Sequence, residues 1–266
     1  MTTAVLIFVA GLFYLASLVS VNFGGASAAR KHNAYVAALV GFAFQTAALA
    51  FRWWQTQRVP VGTSYELMET IAWLLVALQL AISLSLKIGL VGIFSMLPAA
   101  VLTLLPLGCP MFVSVMSDSP KSPQQFAAAH GILAAFSYAF LAAAAVFAAL
   151  YLKQQKALRE KSNSKMAKML PSLQTLEKGV EALVATSAVS MLASIVVGAF
   201  ASAGVEVGAV MVFKFAVGAA LFSMQAILCA ATLAGFVRGA RLAKLSIALF
   251  VFAILMLVPI ELRTVM

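Results

Sequence analysis

The chain has 266 residues, of which 64% are hydrophobic and only 10% charged, and it carries a formal charge of +10. Soluble domains run at roughly 45–50% apolar and about 25% charged, so a water-soluble fold could not cover this much apolar surface, whereas lipid tails solvate it. The positive charges lie beside the ends of apolar runs, the pattern of topology determinants and anionic-lipid contacts rather than of nucleic-acid binding.

A helix needs roughly 20 apolar residues to cross the hydrocarbon core. On that measure the chain is an all-α integral membrane protein, a single transmembrane domain over 1–266. About eight transmembrane helices are expected, at 3–22, 35–52, 67–86, 88–107, 127–152, 180–203, 207–236 and 243–262. The first run has no Lys or Arg before it and no small-residue cleavage pattern after it, so it reads as a retained span rather than a secretory signal. The fourth contains Leu97-Pro98 and ends at Leu105-Pro106, which predicts a kink. Ala, Gly and Ser are dense in the fifth, sixth and seventh runs, where small residues let helix backbones approach closely.

Between the fifth and sixth runs lies a basic connector, 153–179, with a short helix expected inside it. Pro171-Ser172 suits the start of that helix, and Leu170, Leu173 and Leu176 recur every three residues after it. Cys109 falls in an expected outer loop and Cys229 deep in a later span, so no disulfide between them is predicted and no metal-binding spacing is present.

Charge then fixes an expected orientation. Loops after odd-numbered spans carry Arg30, Lys31, Lys87, Lys153, Lys156, Arg159, Lys161, Lys165, Lys168, Lys178, Arg238, Arg241 and Lys244, thirteen of the eighteen basic residues. Loops after even-numbered spans and the C-terminal tail carry Arg52, Arg58, Lys121 and Arg263, and Lys214 alone lies inside a span. The positive-inside rule places the thirteen in the cytoplasm and both termini outside it.

Against that orientation, the polar residues inside the spans share a level in the outer half. Gln45 and Arg52 are seven residues apart, close to two helical turns, and so lie on one face about 10 Å apart. Tyr65, Glu69 and Trp73 are spaced by four and form one stripe. His130 stands in the first turn of the fifth span, and Lys214 lies about 10 Å into the seventh, almost on the face of Gln225. Arg52, Glu69, His130 and Lys214 thus come from four helices toward one outer polar cavity. Each also has a plain structural reading. Arg52 can form an interfacial ion pair with Glu66 or Glu69, and Lys214 can pair with Glu69 or Glu206. His130 can be a hydrated helix-end group, and Trp53, Trp54 and Trp73 can form an aromatic belt. No glycine loop for phosphate, Cys/His metal cluster or nucleophile–base set is present, so no enzyme chemistry is expected.

Three stretches resemble the cytochrome c assembly superfamily, in its small eight-helix branch of HemX-type and YpjD-type inner-membrane proteins. The first is Phe51-Arg52-Trp53 with Val59-Pro60-Val61-Gly62-Thr63-Ser64-Tyr65-Glu66 and Ala72-Trp73. The second is His130-Gly131-Ile132-Leu133 with Ser137-Tyr138-Ala139 and Tyr151-Leu152. The third is Leu170-Pro171-Ser172-Leu173 with Leu176-Glu177. Together they cover roughly residues 35–200 in the expected order.

The resemblance implies haem b handling at the outer face without enzymatic activity, in contact with the bilayer and with other cytochrome c assembly or membrane proteins. His130 then corresponds to an iron-ligand histidine, the one metal ligand expected. Arg52 suits a haem propionate, and Lys214 supplies either a second, weaker ligand or a propionate contact. Gln45, Tyr65, Glu69 and Trp73 complete the expected cofactor surroundings. The chain departs from the family pattern in three places: Gln45 stands where relatives carry a histidine, residues 203–208 replace a tryptophan-rich segment, and the late histidine of the seventh span is missing. Two other functions fit the residues without haem: an accessory subunit that binds another membrane protein, and a small-anion transporter using Arg52 and Lys214.

Overall fold

The computed structural model describes residues 2–22, 28–86, 94–108, 125–161, 170–202 and 209–257. Among them are eight α-helices and no strands. They are α1 (Thr2–Asn22), α2 (Ala28–Thr56), α3 (Ser64–Leu86), α4 (Met96–Gly108), α5 (Gln125–Arg159), α6 (Leu173–Ala201), α7 (Ala209–Leu233) and α8 (Ala240–Leu257). The chain is therefore an all-helical, multi-pass membrane protein: seven helices are long and apolar enough to cross a bilayer. The exception is α4, whose 13 residues reach about 20 Å at 1.5 Å per residue, short of the ~30 Å hydrocarbon core. Of the expected fourth span, residues 88–93 lie outside the described residues. Pro98 falls in the first turn of α4, where its missing N–H has no helical partner to lose.

Two helices run past their apolar segments. Both α2, from Ala28, and α5, to Arg159, extend into polar sequence, because helical hydrogen bonding does not stop at the edge of an apolar run and Ala, Arg, Lys and Gln sustain it. Lys153, Lys156 and Arg159 accordingly belong to α5 rather than to a free connector, with Lys156 Nζ 3.8 Å from Glu160 Oε1 one turn on. The short helix expected near Pro171 is the first turns of α6. Ser172 caps α6, its hydroxyl accepting the N–H of Thr175 at 3.2 Å, while Leu170 and Leu176 are buried beneath. The three-residue leucine spacing was thus the start of a membrane helix.

The helices pack mostly with their sequence neighbours. α1 and α2 form one antiparallel hairpin and α5 and α6 another; α5 also packs on α8 and α3, and α4 packs on α1 and α3. Alanine makes α5 a central post: Ala142, Ala143, Ala144 and Ala148 are fully buried, and small side chains allow the close approach. Gly179 of α6 receives the ring of Phe147, whose Cδ1 would lie 2.5 Å from an added Cβ. Farther along, Ser137 Oγ donates to Ser187 O at 2.9 Å and Ser187 Oγ donates to Ser137 O at 2.8 Å. Gln225 of α7 joins them, its Nε2 donating to Ser187 Oγ at 2.9 Å.

Contacts at the helix ends define two poles. At one, Lys153 Nζ lies 4.9 Å over the Phe94 ring, and Gly239 N donates to Glu177 Oε1 at 2.6 Å. A Schellman turn closes α7 there: Gly235 (φ 78°) follows the helix, and Phe236 N bonds to Ala231 O and Gly235 N to Thr232 O. At the opposite pole the α2–α3 loop, residues 57–63, meets the start of α5, where an added Cβ on Gly131 would lie 2.8 Å from Val61 Cγ2.

Candidate functional site

The α2–α3 loop is organised by one carboxylate. Thr63 caps α3, its Oγ1 accepting Glu66 N at 3.2 Å, and Glu66 turns back to accept the N–H of Gly62 at 3.1 Å. This is close to a capping box, written in the sequence as Thr63-Ser64-Tyr65-Glu66, with the N–H of Gly62 in place of that of the cap residue. The same carboxylate takes two arginines. Arg52 Nε donates to Oε1 at 2.8 Å; Arg58 Nη1 donates to Oε2 at 2.7 Å and its Nη2 to Oε1 at 3.0 Å. Arg58 therefore makes a two-point fork, the stronger form of this pairing.

Glu66 is 1% exposed and the Arg58 side chain 3%, whereas Arg52 keeps 15%. Gly62 leaves the space for the Arg58 guanidinium: an added Cβ would collide with Nη1. Thr70 ties the loop down further, its hydroxyl donating to Pro60 O at 2.8 Å. With two guanidiniums on one carboxylate, the triad keeps one net positive charge beside the exposed rings of Trp53 and Trp54.

His130 stands next to this loop, one residue before Gly131, in the second turn of α5 rather than the first. Its ring lies against α6, where Gly198 has no side chain to obstruct it; an added Cβ would sit 2.7 Å from Nδ1. Nδ1 is 2.7 Å from the carbonyl oxygen of Ser194. A carbonyl oxygen only accepts, so Nδ1 carries the proton and the lone pair of the neutral ring is on Nε2. Ser194 also donates its hydroxyl to His130 O at 3.0 Å, locking the two helices at this level. Nε2 has no hydrogen-bond partner among the described residues.

Gln45 and Glu69 lie elsewhere than the expected shared cavity. Both are fully buried, Gln45 two turns below Arg52 on α2 and Glu69 just under one turn below Glu66 on α3, and they face each other across the two helices. Tyr14 donates its hydroxyl to Gln45 Oε1 at 2.7 Å. Gln45 Nε2 in turn donates to Glu69 Oε2 at 3.0 Å and lies 3.3 Å from Thr103 Oγ1. The network binds α1, α2, α3 and α4 together. Glu69 Oε1 and the Tyr65 hydroxyl are buried with no partner among the described residues. Arg52 pairs with Glu66, and the hydrogen bonds to the Glu69 side chain come from Gln45.

Trp73 is half-buried, and it stands deeper along its helix than Trp53 and Trp54, which are exposed at the end of α2. It lies about 13 Å along α3 from Ser64. Its Nε1 donates to Thr46 Oγ1 at 2.8 Å and its ring stacks on Phe42 at 5.5 Å. The backbone of Lys214 belongs to α7, and its side chain lies outside the described residues, as do Cys109 and Glu206.

Sequence reasoning missed Arg58 as a partner of Glu66, although the capping-box pattern marked the place where the loop turns back. It also missed Ser194 and Gly198 as the support of His130. Among the described residues no group of three or more His, Cys, Asp or Glu side chains could hold a bare metal ion.

A curated relative, Protein HemX from Brevibacillus brevis, is 29% identical over 171 residues, covering 64% of this chain and 62% of that protein. The chain thus aligns with less than two thirds of that relative's length. No solved structure matches. The family model described as Cytochrome C assembly protein matches residues 61–204, more than half of the sequence and the whole of α3 to α6, so the chain belongs to the cytochrome c assembly protein family.

Proposed function

We propose that the chain is a non-enzymatic haem-handling component of cytochrome c assembly in a bacterial inner membrane, with its site pole facing away from the cytoplasm. The observation that carries the reading is the His130 Nδ1 contact with Ser194 O at 2.7 Å. It fixes the tautomer and orients the ring, as the partners of metal-bound histidines commonly do, and leaves the Nε2 lone pair available for iron. Arg52, partly exposed beside Glu66, would meet a propionate. Trp53 and Trp54, 60% and 71% exposed, offer flat apolar surface next to it. Haem, when bound, would supply the iron; His130 would hold it through one imidazole, Arg52 would neutralise a carboxylate, and Trp53 and Trp54 would offer it apolar surface.

Orientation follows from charge. The opposite pole holds Lys153, Lys156, Arg159, Lys178, Arg238, Arg241 and Lys244, and such clusters stay on the cytoplasmic side.

The test is the absorption spectrum of the purified chain after haem loading. A Soret band is expected, and it should be lost in His130→Ala while helical content is unchanged. No Soret band in the loaded wild-type chain, or an unchanged band in the variant, overturns the reading. Stable co-purification of a membrane partner from a pigment-free preparation would instead favour an accessory subunit.

A further inference from the structure

The pole opposite His130 holds a cavity of about 480 Å³ that the reading above does not use. Its rim comes from the first turns of α6 and the α7–α8 loop, through Glu177, Lys178, Glu181 and Arg238. Its floor is apolar, formed by Val184, Cys229 and Leu242. Along α6 the lining positions 174, 177, 178, 181, 184 and 185 recur at intervals of three and four, so one helical face changes from charged to apolar.

Helix length sets the level of this change. α6 has 29 residues, about 43 Å at 1.5 Å per residue, against ~30 Å of hydrocarbon. Its polar first turns therefore stand in the headgroup region, and Val184 lies about 9 Å deeper than Lys178. Leu233, 88% exposed, also lines the cavity. A cavity with a charged rim at headgroup height and an apolar floor below it has the polarity profile of a lipid rather than of a water-soluble molecule.

Charge narrows the class. Two carboxylates and two cations surround the cavity, and Lys178, Glu181 and Arg238 form no ion pair among the described residues. Glu177 is partly committed, accepting the N–H of Gly239. Opposite charges that stay apart around one space suit a ligand that carries both signs. A purely anionic headgroup would meet Glu177 and Glu181 as well as the cations. We propose that this cavity binds the headgroup of a zwitterionic phospholipid of the phosphoethanolamine class, with the phosphate toward Lys178 and Arg238 and the ammonium toward Glu181.

The experiment is native mass spectrometry of the detergent-purified full chain. It is offered palmitoyl-oleoyl phosphatidylethanolamine, the phosphatidylglycerol with the same acyl chains, and soluble glycerophosphoethanolamine. The expected result is retention of the ethanolamine lipid about tenfold above the glycerol lipid, equivalent to about 1.4 kcal/mol. The double variant Lys178→Gln/Arg238→Gln should lose that retention, and Lys178→Arg/Arg238→Lys should keep it. Glu181→Gln should narrow the preference by raising glycerol-lipid retention. Equal retention of both lipids by the wild-type chain, or an unchanged preference in the double variant, overturns the proposal. So does competition by the soluble headgroup as strong as by the lipid, which would mark a water-soluble ligand. The His130 Soret band is a separate readout, so either reading can fail alone.

Discussion

Replacing Glu66 by alanine is the most severe single change the site pole offers. The carboxylate accepts four hydrogen bonds, from Arg52 Nε at 2.8 Å, Arg58 Nη1 at 2.7 Å, Arg58 Nη2 at 3.0 Å and Gly62 N at 3.1 Å. At roughly 1.5–3 kcal/mol for each bond to a charged group, the gross loss is large. Much of it is offset in the native protein by the desolvation of two buried ions, Glu66 and Arg58, and one partly buried ion, Arg52. What alanine leaves behind decides the net effect: two guanidiniums side by side, with Arg58 only 3% exposed. Breaking a buried pair in this way costs about 3–5 kcal/mol.

Arg52→Ala should cost less, about 1 kcal/mol, because Arg52 is the more exposed partner and Arg58 still neutralises Glu66. Arg58→Lys should fall between, since an ammonium cannot reproduce the two-point fork. The assay is unfolding of the purified variants in mixed micelles, followed by tryptophan fluorescence, with Trp53 and Trp54 adjacent to the loop. The expected order of destabilisation is Glu66→Ala, then Arg58→Lys, then Arg52→Ala. A Glu66→Ala variant as stable as the wild type would refute the account of the loop as an ion-tied structure.

Other changes separate site from scaffold. Gly198→Ala puts a Cβ 2.7 Å from His130 Nδ1 and should weaken haem retention severalfold by pushing the ring off Ser194 O, with helical content by circular dichroism unchanged; intact retention would remove the tautomer argument. Glu69→Gln keeps an acceptor for Gln45 Nε2 and should leave thermal stability level or higher, whereas Glu69→Ala opens a polar hole in the α1–α4 network and should cost about 2–4 kcal/mol. Equal losses from the two changes would contradict this. Gln45→His puts an imidazole at a fully buried position already bonded to Tyr14 and Glu69; it should destabilise the chain without giving the low-spin spectrum of two imidazoles on iron. Gly179→Ala drives a methyl toward Phe147 Cδ1 and should cost about 1–3 kcal/mol as α5 and α6 are forced apart, measured by the same unfolding assay.

Apolar run length made most of the bundle legible, because crossing hydrocarbon demands a nearly fixed number of residues. Ends were less legible, since α5 continues through Lys153 and Lys156 under its own hydrogen bonding. Pair choice follows from spacing once α2 and α3 are known to be antiparallel. Gln45 and Arg52 are seven apart and Glu66 and Glu69 three apart, so Arg52 meets Glu66 near the pole and Gln45 meets Glu69 below it. Nothing local could have supplied the partner of His130: Ser194 is 64 residues away, and the contact exists only because α5 and α6 pack as a hairpin. Glu69 does not join Arg52 for a related reason. A shared membrane level says how deep a side chain lies, not toward which neighbour it turns, and Gln45 and Glu69 turn into the four-helix interior.

The boundaries of the family match carry a further point. Residues 61–204 contain His130, Ser194 and Gly198, so the imidazole and its support lie within the shared part of the fold. Arg52 and Arg58 lie just before it and Gln45 well before it, on α2 and its loop. The flanking helices therefore contribute charge and rigidity to a histidine that α5 and α6 already orient between themselves. Val61 is where the two parts meet, pressed on Gly131 by a loop whose shape depends on Glu66. On the proposed reading, substitutions in α1 and α2 should alter stability and propionate affinity, and only those on the α5–α6 face should alter the ligation of iron itself.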